Sequence, residues 1–309
     1  MQYRLFVKNE LIIVRYGELG LKAAETRRRF ENSLVNNIKN ALKTKKIFFE
    51  LKKEWGRIYV FTDQINESID VLQKIFGITS ISPAIKTNSK IKDISKVAVY
   101  ISKENLTKKK SFALRVKRAG THSFTSQNVA VQIGNYIVKA TKSGVDLTHP
   151  DFELFIEIRD KNAYLFTKKI RCTGGLPLRT QGKILVFVDN LESILAAWYI
   201  MHRGCSTVFL ISNKSLNNIL KKFIDTWHTN HDVVVFDNKK AIYEDINDVA
   251  SKKKCVALVT GHSFYSPTKD VVSDLKLLNA QINIPVLHPL IAMEKDEINK
   301  KLQEIGIKP

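Results

Sequence analysis

The chain has 309 residues and carries 50 Lys and Arg against 30 Asp and Glu, a formal net charge of +20. A surplus of that size points to a polyanionic partner, and a chain of this length is expected to divide into more than one domain. No apolar stretch approaches the roughly 18 residues of a membrane span, and Met1 to Glu10 is a short charged lead, so no membrane association and a cytoplasmic location are expected.

The charge is placed rather than spread. Residues 1 to 182 hold 34 basic and 16 acidic side chains, a surplus of 18, while residues 183 to 309 hold 16 and 14, a surplus of 2. A uniform composition bias does not produce that split, so nucleic acid is the expected partner of the N-terminal part.

In chain order, Leu11 to Arg15 reads as a short strand, and Leu21 to Leu42 as a helix with Phe30, Leu34, Ile38 and Leu42 on one face. Arg27, Arg28 and Arg29 near its start oppose the helix dipole. That placement suits a phosphate contact, although one of the three would equally serve to cover apolar surface. Lys46 to Leu51 and Arg57 to Thr62 predict two strands joined around Trp55-Gly56, followed by a helix over Glu67 to Phe76 and a strand over Thr79 to Ala84. The order β-α-β-β-α-β is that of a ferredoxin-like unit over residues 1 to 84.

A second module is expected over residues 85 to 170. It has helices near Ile91 to Ser102 and Ser126 to Ala140, a basic strand Phe112 to Arg118, and strands over Phe152 to Arg159 and Ala163 to Lys168. In the basic strand Arg115 and Lys117 alternate with Leu114 and Val116, so the two charges share one face. With Arg118, and with Lys168, Lys169 and Arg171 downstream, they are the expected RNA contacts. The alternative is charge protecting an edge strand from aggregation.

From Lys183 strands and helices alternate: Ile184 to Val188, Ser193 to Met201, Thr207 to Ile211, Ser215 to Trp227, Val233 to Phe236, a helix through Ala250, Val256 to Thr260, Asp270 to Leu278, Val286 to His288, and a last helix from Glu294. This predicts a parallel sheet with helices on both faces and ligands at the carboxyl ends of its strands. Cys172, Cys205 and Cys255 lie far apart, with no spacing that marks a disulfide framework or a metal site. The histidines are scattered too, each read as an isolated surface or core residue.

Five stretches, in this order, resemble the ThiI family of tRNA sulfurtransferases. They are Ile13 to Lys22, the Leu114 to Arg118 strand, Gly174-Gly175-Leu176-Pro177 with Gly182-Lys183, Ala196-Ala197-Trp198 with Met201 and Arg203-Gly204, and Val259-Thr260-Gly261 with Pro289-Leu290-Ile291. The resemblance implies a ferredoxin-like domain, a THUMP RNA-binding domain over 85 to 170, a linker over 171 to 182, and a Rossmann-like PP-loop domain of the adenine nucleotide α-hydrolase type over 183 to 309. It implies tRNA as partner, a homodimer as the assembly, and ATP-dependent replacement of a uridine oxygen by sulfur, with thiamine thiazole sulfur supply in some members.

Three departures redirect that expectation. Where the family has Ser-Gly-Gly-x-Asp-Ser, this chain has Val188-Asp189-Asn190-Leu191-Glu192-Ser193, and only the last serine is kept. Small residues there would let backbone N–H groups reach pyrophosphate. Asp189 or Asn190 can instead cap those groups, and Asp189 and Glu192 place negative charge where phosphate would sit. The family's Cys-x-x-Cys-Arg-Arg stretch has no counterpart between Ser206 and Lys254, and Thr-Gly-Glu-x-x-Gly-Gln becomes Thr260-Gly261-His262-Ser263-Phe264-Tyr265-Ser266. No catalytic set is read as intact. The expectation is a tRNA-binding subunit with a degenerate nucleotide loop, working beside a separate catalytic or sulfur-donor protein. ATP with Mg²⁺ is required only if the chain is an active sulfurtransferase with a remodelled site. Cys172, beside Arg171 and a glycine-rich linker expected to be exposed, is the candidate reactive thiol.

Overall fold

In a computed structural model of the chain, residues 11–17, 23–229, 232–235, 242–266 and 270–308 are described. The charged lead, Glu18 to Lys22 of the first motif, His231 and Phe236 lie outside the described residues. The chain divides into two compact units. One comprises Met1–Arg15, Lys46–Asp70 and Ser80–Arg171; the other comprises Tyr16–Lys45, Val71–Thr79 and Cys172–Pro309.

The first part of the chain runs β1 (Leu11–Tyr16), α1 (Ala24–Thr44), β2 (Glu50–Glu54), β3 (Arg57–Phe61), α2 (Ile65–Leu72), β4 (Ile78–Asn88), α3 (Ile91–Asn105), β5 (Ser111–Ala119), α4 (Ser126–Thr141), β6 (Gly144–Val145), β7 (Phe152–Arg159), β8 (Asn162–Phe166) and β9 (Ile170–Arg171). The strands of the first unit form one sheet in the order β2-β3-β1-β4-β8-β7-β5-β6, with β9 on β4. Strand β4 is longer than expected and runs through the predicted boundary at residue 84. Its start pairs with β9, Ser80 opposite Arg171, and its end pairs with β8, Ile85 opposite Leu165. One strand therefore serves both modules.

The sheet also bends back on itself. Tyr59 of β3 stacks on Tyr164 of β8 with ring centroids 4.6 Å apart, although β1 and β4 intervene; three strand spacings in a flat sheet would separate them by roughly 14 Å. Leu11, Ile13, Ala84 and Phe166 fill the concavity. The opposite face carries α3 and α4 over Leu154, Ile156, Ile158 and Leu165.

Buried beside the concave core is an unusual charge cluster. Glu157 is 6% exposed and accepts from Arg159 Nε at 2.7 Å, Arg57 Nε at 2.8 Å and Arg15 Nη2 at 3.4 Å. Burial opposes ionisation of Glu157, but the guanidiniums of Arg57, Arg159 and Arg15 outweigh it and hold the carboxyl below the usual range. Arg15 also lies over the Phe166 ring at 4.8 Å.

In the second unit, α1 buries Phe30, Leu34, Ile38 and Leu42 as its periodicity predicts. Phe30 packs with Leu176 and Tyr16, and Asn37 Nδ2 donates to Leu178 O at 3.3 Å. The helix expected to reach Phe76 ends at Leu72. Gly77 then takes φ +99° against Pro177, and Phe76 enters the core, stacked on Trp227 at 5.4 Å. The glycine linker is packed rather than exposed. Gly77 N donates to Gly174 O at 2.7 Å and Leu176 N to His202 O at 2.9 Å, and a Cβ on Gly175 would strike His202 O.

The remaining elements are β10 (Lys183–Val188), α5 (Leu191–His202), β11 (Ser206–Ile211), α6 (Asn217–Thr226), β12 (Asp232–Val235), α7 (Ile242–Lys253), β13 (Ala257–Val259), α8 (Val271–Gln281), β14 (Val286–Leu287) and α9 (Lys295–Glu304). They build a parallel sheet in the order β12-β11-β10-β13-β14. Helix α5 is apolar nearly all round, with Ile194, Leu195, Ala196, Ala197 and Met201 buried, as a helix enclosed by protein must be. Among the described residues no helix is long and apolar enough to cross a membrane.

Candidate functional site

The basic strand β5 lies beside β7 in parallel register, with Leu114 next to Leu154, Val116 next to Ile156 and Arg118 next to Ile158. Leu114 and Val116 pack onto the α3/α4 core, so Arg115 and Lys117 point to the other face, as expected. Arg118 has the parity of the helix-covered face, so the three cations do not share one surface. Strand β6 pairs only with Ser111 and Phe112, which leaves the rest of β5 as a sheet edge.

Arg115 is already engaged, its Nε donating to Glu153 at 2.7 Å and its Nη2 to Leu147 O at 3.0 Å. Lys117 and Arg118 are exposed. Lys117 has no ion-pair or hydrogen-bond partner among the described residues, and Arg118 donates to His122 O at 3.2 Å. The loop that follows carries His122 stacked on Phe124 at 5.2 Å. Thr125 then starts α4 with a capping box that uses Asn128. Basic strand end and stacked aromatic pair together have the chemistry of a phosphate and base contact.

The other candidate cations are elsewhere. Lys168 and Lys169 lie beyond the end of β8, where a strand was expected to continue, and are exposed with Arg171. Arg171 sits on β9 beside β4, two strands removed from β5 in the sheet order. Arg28 and Arg29 are exposed on the first turns of α1 and Arg27 is half-buried; Arg29 rests over the Phe30 ring at 5.4 Å. This helix belongs to the second unit.

In the C-terminal sheet the chain leaves β10 toward β11 on one side and later returns to β13 on the other. The carboxyl ends of β10 and β13 are therefore the topological switch point, the place where sheets of this kind bind ligands. Asp189 to Ser193 follow β10, and Thr260 to His262 follow β13. Asn190 is the N-cap of α5: its Oδ1 accepts from Ser193 N at 2.8 Å, while Ser193 Oγ donates to Asn190 O at 2.6 Å. Gly261 presses on the same turn, because a Cβ there would meet Ser193 N and lie 2.7 Å from Asn190 Oδ1. Burial raises the Asp189 carboxyl above the usual range; His262 opposes the rise and Glu192 adds to it.

In the sequence His262 and His288 stand 26 residues apart and read as isolated, yet the sheet brings them together. Thr260, 2% exposed, lies 2.8 Å from His288 Nδ1 and 2.8 Å from His262 Nδ1, with the rings 5.9 Å apart. A hydroxyl has one proton to give and two lone pairs, so Thr260 can donate to at most one of the two rings, and at least one Nδ1 donates to it. Burial, reinforced by His262, lowers the pKa of His288. Its Nε2 is enclosed without a partner among the described residues. The strand pairing of β13 with β14, Val259 opposite Leu287, makes this junction, and sequence spacing carries no trace of it.

The candidate thiol Cys172 is half-buried, its N–H held by Thr79 O at 3.0 Å. Burial raises the thiol pKa of Cys205 and of Cys255. Among the described residues no group of three His, Cys, Asp or Glu side chains is arranged to hold a metal ion.

A bent sheet shared by two small α/β modules, followed by a Rossmann-like parallel sheet, defines a three-module protein. Family models agree with that partition: the ThiI ferredoxin-like domain matches residues 11–82, the THUMP domain residues 88–168, and the thiamine biosynthesis protein (ThiI) model residues 208–308. The chain is 32% identical to a probable tRNA sulfurtransferase of Methanobrevibacter smithii, covering 96% of this chain and 86% of that protein. It is 33% identical to one of Methanocaldococcus jannaschii, covering 98% and 90%. The chain belongs to the tRNA sulfurtransferase (ThiI) family. Among solved structures, a Pyrococcus horikoshii Ot3 protein superposes with a TM-score of 0.84 at 28% identity over 96% of this chain and all of that one. A 4-thiouridine synthetase in complex with RNA and ATP gives 0.82 at 26% identity, over 96% of this chain and 85% of that one.

Proposed function

We propose that this chain is a tRNA-binding member of its family in which the switch-point turn no longer holds ATP, so that it presents tRNA to a separate catalytic or sulfur-donor protein. The observation that carries the reading is the Asn190 cap. The N–H that a phosphate oxygen would need at the start of α5 is bonded to Asn190 Oδ1, and Gly261 closes on the same turn. Asp189 and Glu192 add negative charge there. An incoming triphosphate would have to break the cap, move the β13 loop and overcome like charge, so these residues do not fit ATP with Mg²⁺.

Support for tRNA comes from the relatives' names, the RNA complex among the structural neighbours, the THUMP match and the exposed cations Lys117 and Arg118. Grip through phosphates and helix shape is the expected mode, because A-form grooves hide base edges. Such binding falls steeply with salt.

A second reading is an active ATP-dependent 4-thiouridine synthetase with a remodelled site. The Thr260, His262 and His288 junction favours it, since it gathers proton-transfer groups at the switch point. Incubating the chain with bulk tRNA, ATP, Mg²⁺ and a persulfide donor, then measuring 4-thiouridine by its near-ultraviolet absorbance, separates the two. No product is expected from the chain alone, and product above the enzyme-free control would establish the second reading.

A further inference from the structure

The first unit contains a cavity of about 430 Å³ between α2, α3 and the β4/β8 part of the sheet. None of its lining residues belongs to β5 or the loop that follows it. Its floor is apolar, formed by Ile69, Pro83, Ile85 and Leu165. Its rim is polar, with Asn66 of α2 facing Tyr100, Glu104 and Asn105 of α3, and Lys168 beyond β8.

Hydrogen-bonding capacity is unused around that rim. Asn105 spends only its Nδ2, donated to Ile101 O at 2.8 Å, which leaves Oδ1 to accept. Neither the Asn66 amide, the Tyr100 hydroxyl nor Lys168 has a hydrogen-bond partner among the described residues. Tyr100 is 37% exposed, so its ring is available to a planar ligand. Lys168 begins the exposed Lys168, Lys169 and Arg171 run, which gives one end of the cavity positive charge. Glu104 is the acid on the rim and would turn a phosphate toward the lysine end.

We propose that this cavity takes a single unstacked nucleotide, its base over the apolar floor beside Tyr100 with the Asn66 and Asn105 amides on the base edge, and its phosphate at Lys168. The volume lies within the roughly 300–1,000 Å³ of small-molecule sites. An apolar floor with amide donors and acceptors and a single cationic end suits a nucleotide better than a purely apolar or purely anionic ligand. The same chemistry is offered by a nucleotide of bound RNA or by a free mononucleotide. The first source rests on the tRNA reading above and the second does not.

The test uses the full chain, with UMP and AMP as free probes and bulk tRNA as the RNA probe. Ile69→Trp fills the cavity and Tyr100→Ala removes the ring, with Tyr100→Phe as the conservative control and thermal melts to establish folding. If RNA supplies the nucleotide, both disruptive variants weaken tRNA binding about tenfold, the scale of one lost stacked base. The salt slope stays unchanged and Tyr100→Phe restores affinity. If a free nucleotide is the ligand, UMP or AMP saturates the wild type, is lost in Ile69→Trp, and tRNA binding is unaffected. Folded variants that leave tRNA affinity unchanged, together with no saturable binding of either nucleotide to the wild type, would overturn the proposal. Should the wild type fail to bind tRNA at all, the tRNA reading falls, and the nucleotide titration alone decides the cavity.

Discussion

The end of β5 and the turn after β10 are the two places where the proposed function would be decided by phosphate, and the chain treats them in opposite ways. At β5 the charge is left available: Lys117 and Arg118 are exposed, and Arg118 makes one bond, to a backbone carbonyl. At the β10 turn the backbone donor is used up internally by Asn190, and the nearby side chains Asp189 and Glu192 are acidic. A third arrangement, around Glu157, shows that a cluster of arginines is not by itself an anion site. Three guanidiniums there converge on one buried carboxylate and hold the bent sheet together. What distinguishes an interface from a scaffold is whether the donors are already spent.

The largest expected effect separates scaffold from interface. Glu157→Gln removes the buried carboxylate on which three half-buried guanidiniums converge and should destabilise the chain by about 3–5 kcal/mol in chemical denaturation. A loss below about 1 kcal/mol would mean that water already screens the cluster.

Next comes the interface. Replacing Arg115, Lys117 and Arg118 together with Ala should weaken tRNA binding by at least tenfold near physiological salt. It should also lower the slope of log K against log salt by about 2 to 3, on the order of one per phosphate contact. Because Arg115 is paired with Glu153, Lys117→Ala with Arg118→Ala should retain most of that effect. Unchanged binding at every salt concentration would remove β5 from the account.

At the turn, Asn190→Ala removes the α5 cap and should cost about 1 kcal/mol of stability. It should not create ATP binding, since Asp189 and Glu192 remain.

The last effect is in pH. His228 is shifted down to about 4, first by burial and then by Lys45 and Lys74, against Asp225. Its folded pKa lies below the ordinary value of 6.5, so the unfolded chain takes up a proton that the folded chain refuses. Stability from this group is complete above about 6.5 and falls as pH drops toward 4. Acid melting curves should therefore show a shallower loss over that window in His228→Asn, which keeps a residue tolerant of the positive φ of 51° found here. Parallel curves would place His228 in water.

Local signals in the sequence carried much of the fold. The four-residue spacing of Phe30, Leu34, Ile38 and Leu42 marks the buried face of α1, and the βα alternation from Lys183 matches the parallel sheet. What local signals lack is pairing between distant segments. Strand β4 continues past Pro83 because β8 pairs with its end, and β8 is not adjacent in sequence. Phe76 was read as the end of a helix, whereas it is a core residue because Trp227 and Trp198 receive its ring. The Asn190 cap was legible from residue type at a strand-to-helix turn. The junction of Thr260, His262 and His288 was not, since it exists only once β14 lies beside β13.

The most direct test of the central claim is titration of ATP with Mg²⁺ into the chain by calorimetry, with and without bulk tRNA, recording tRNA binding on the same preparation. The account predicts strongly salt-dependent tRNA binding and no ATP heat in either state. ATP binding, above all binding that appears only with tRNA present, would contradict it and make the β10 turn a working nucleotide site.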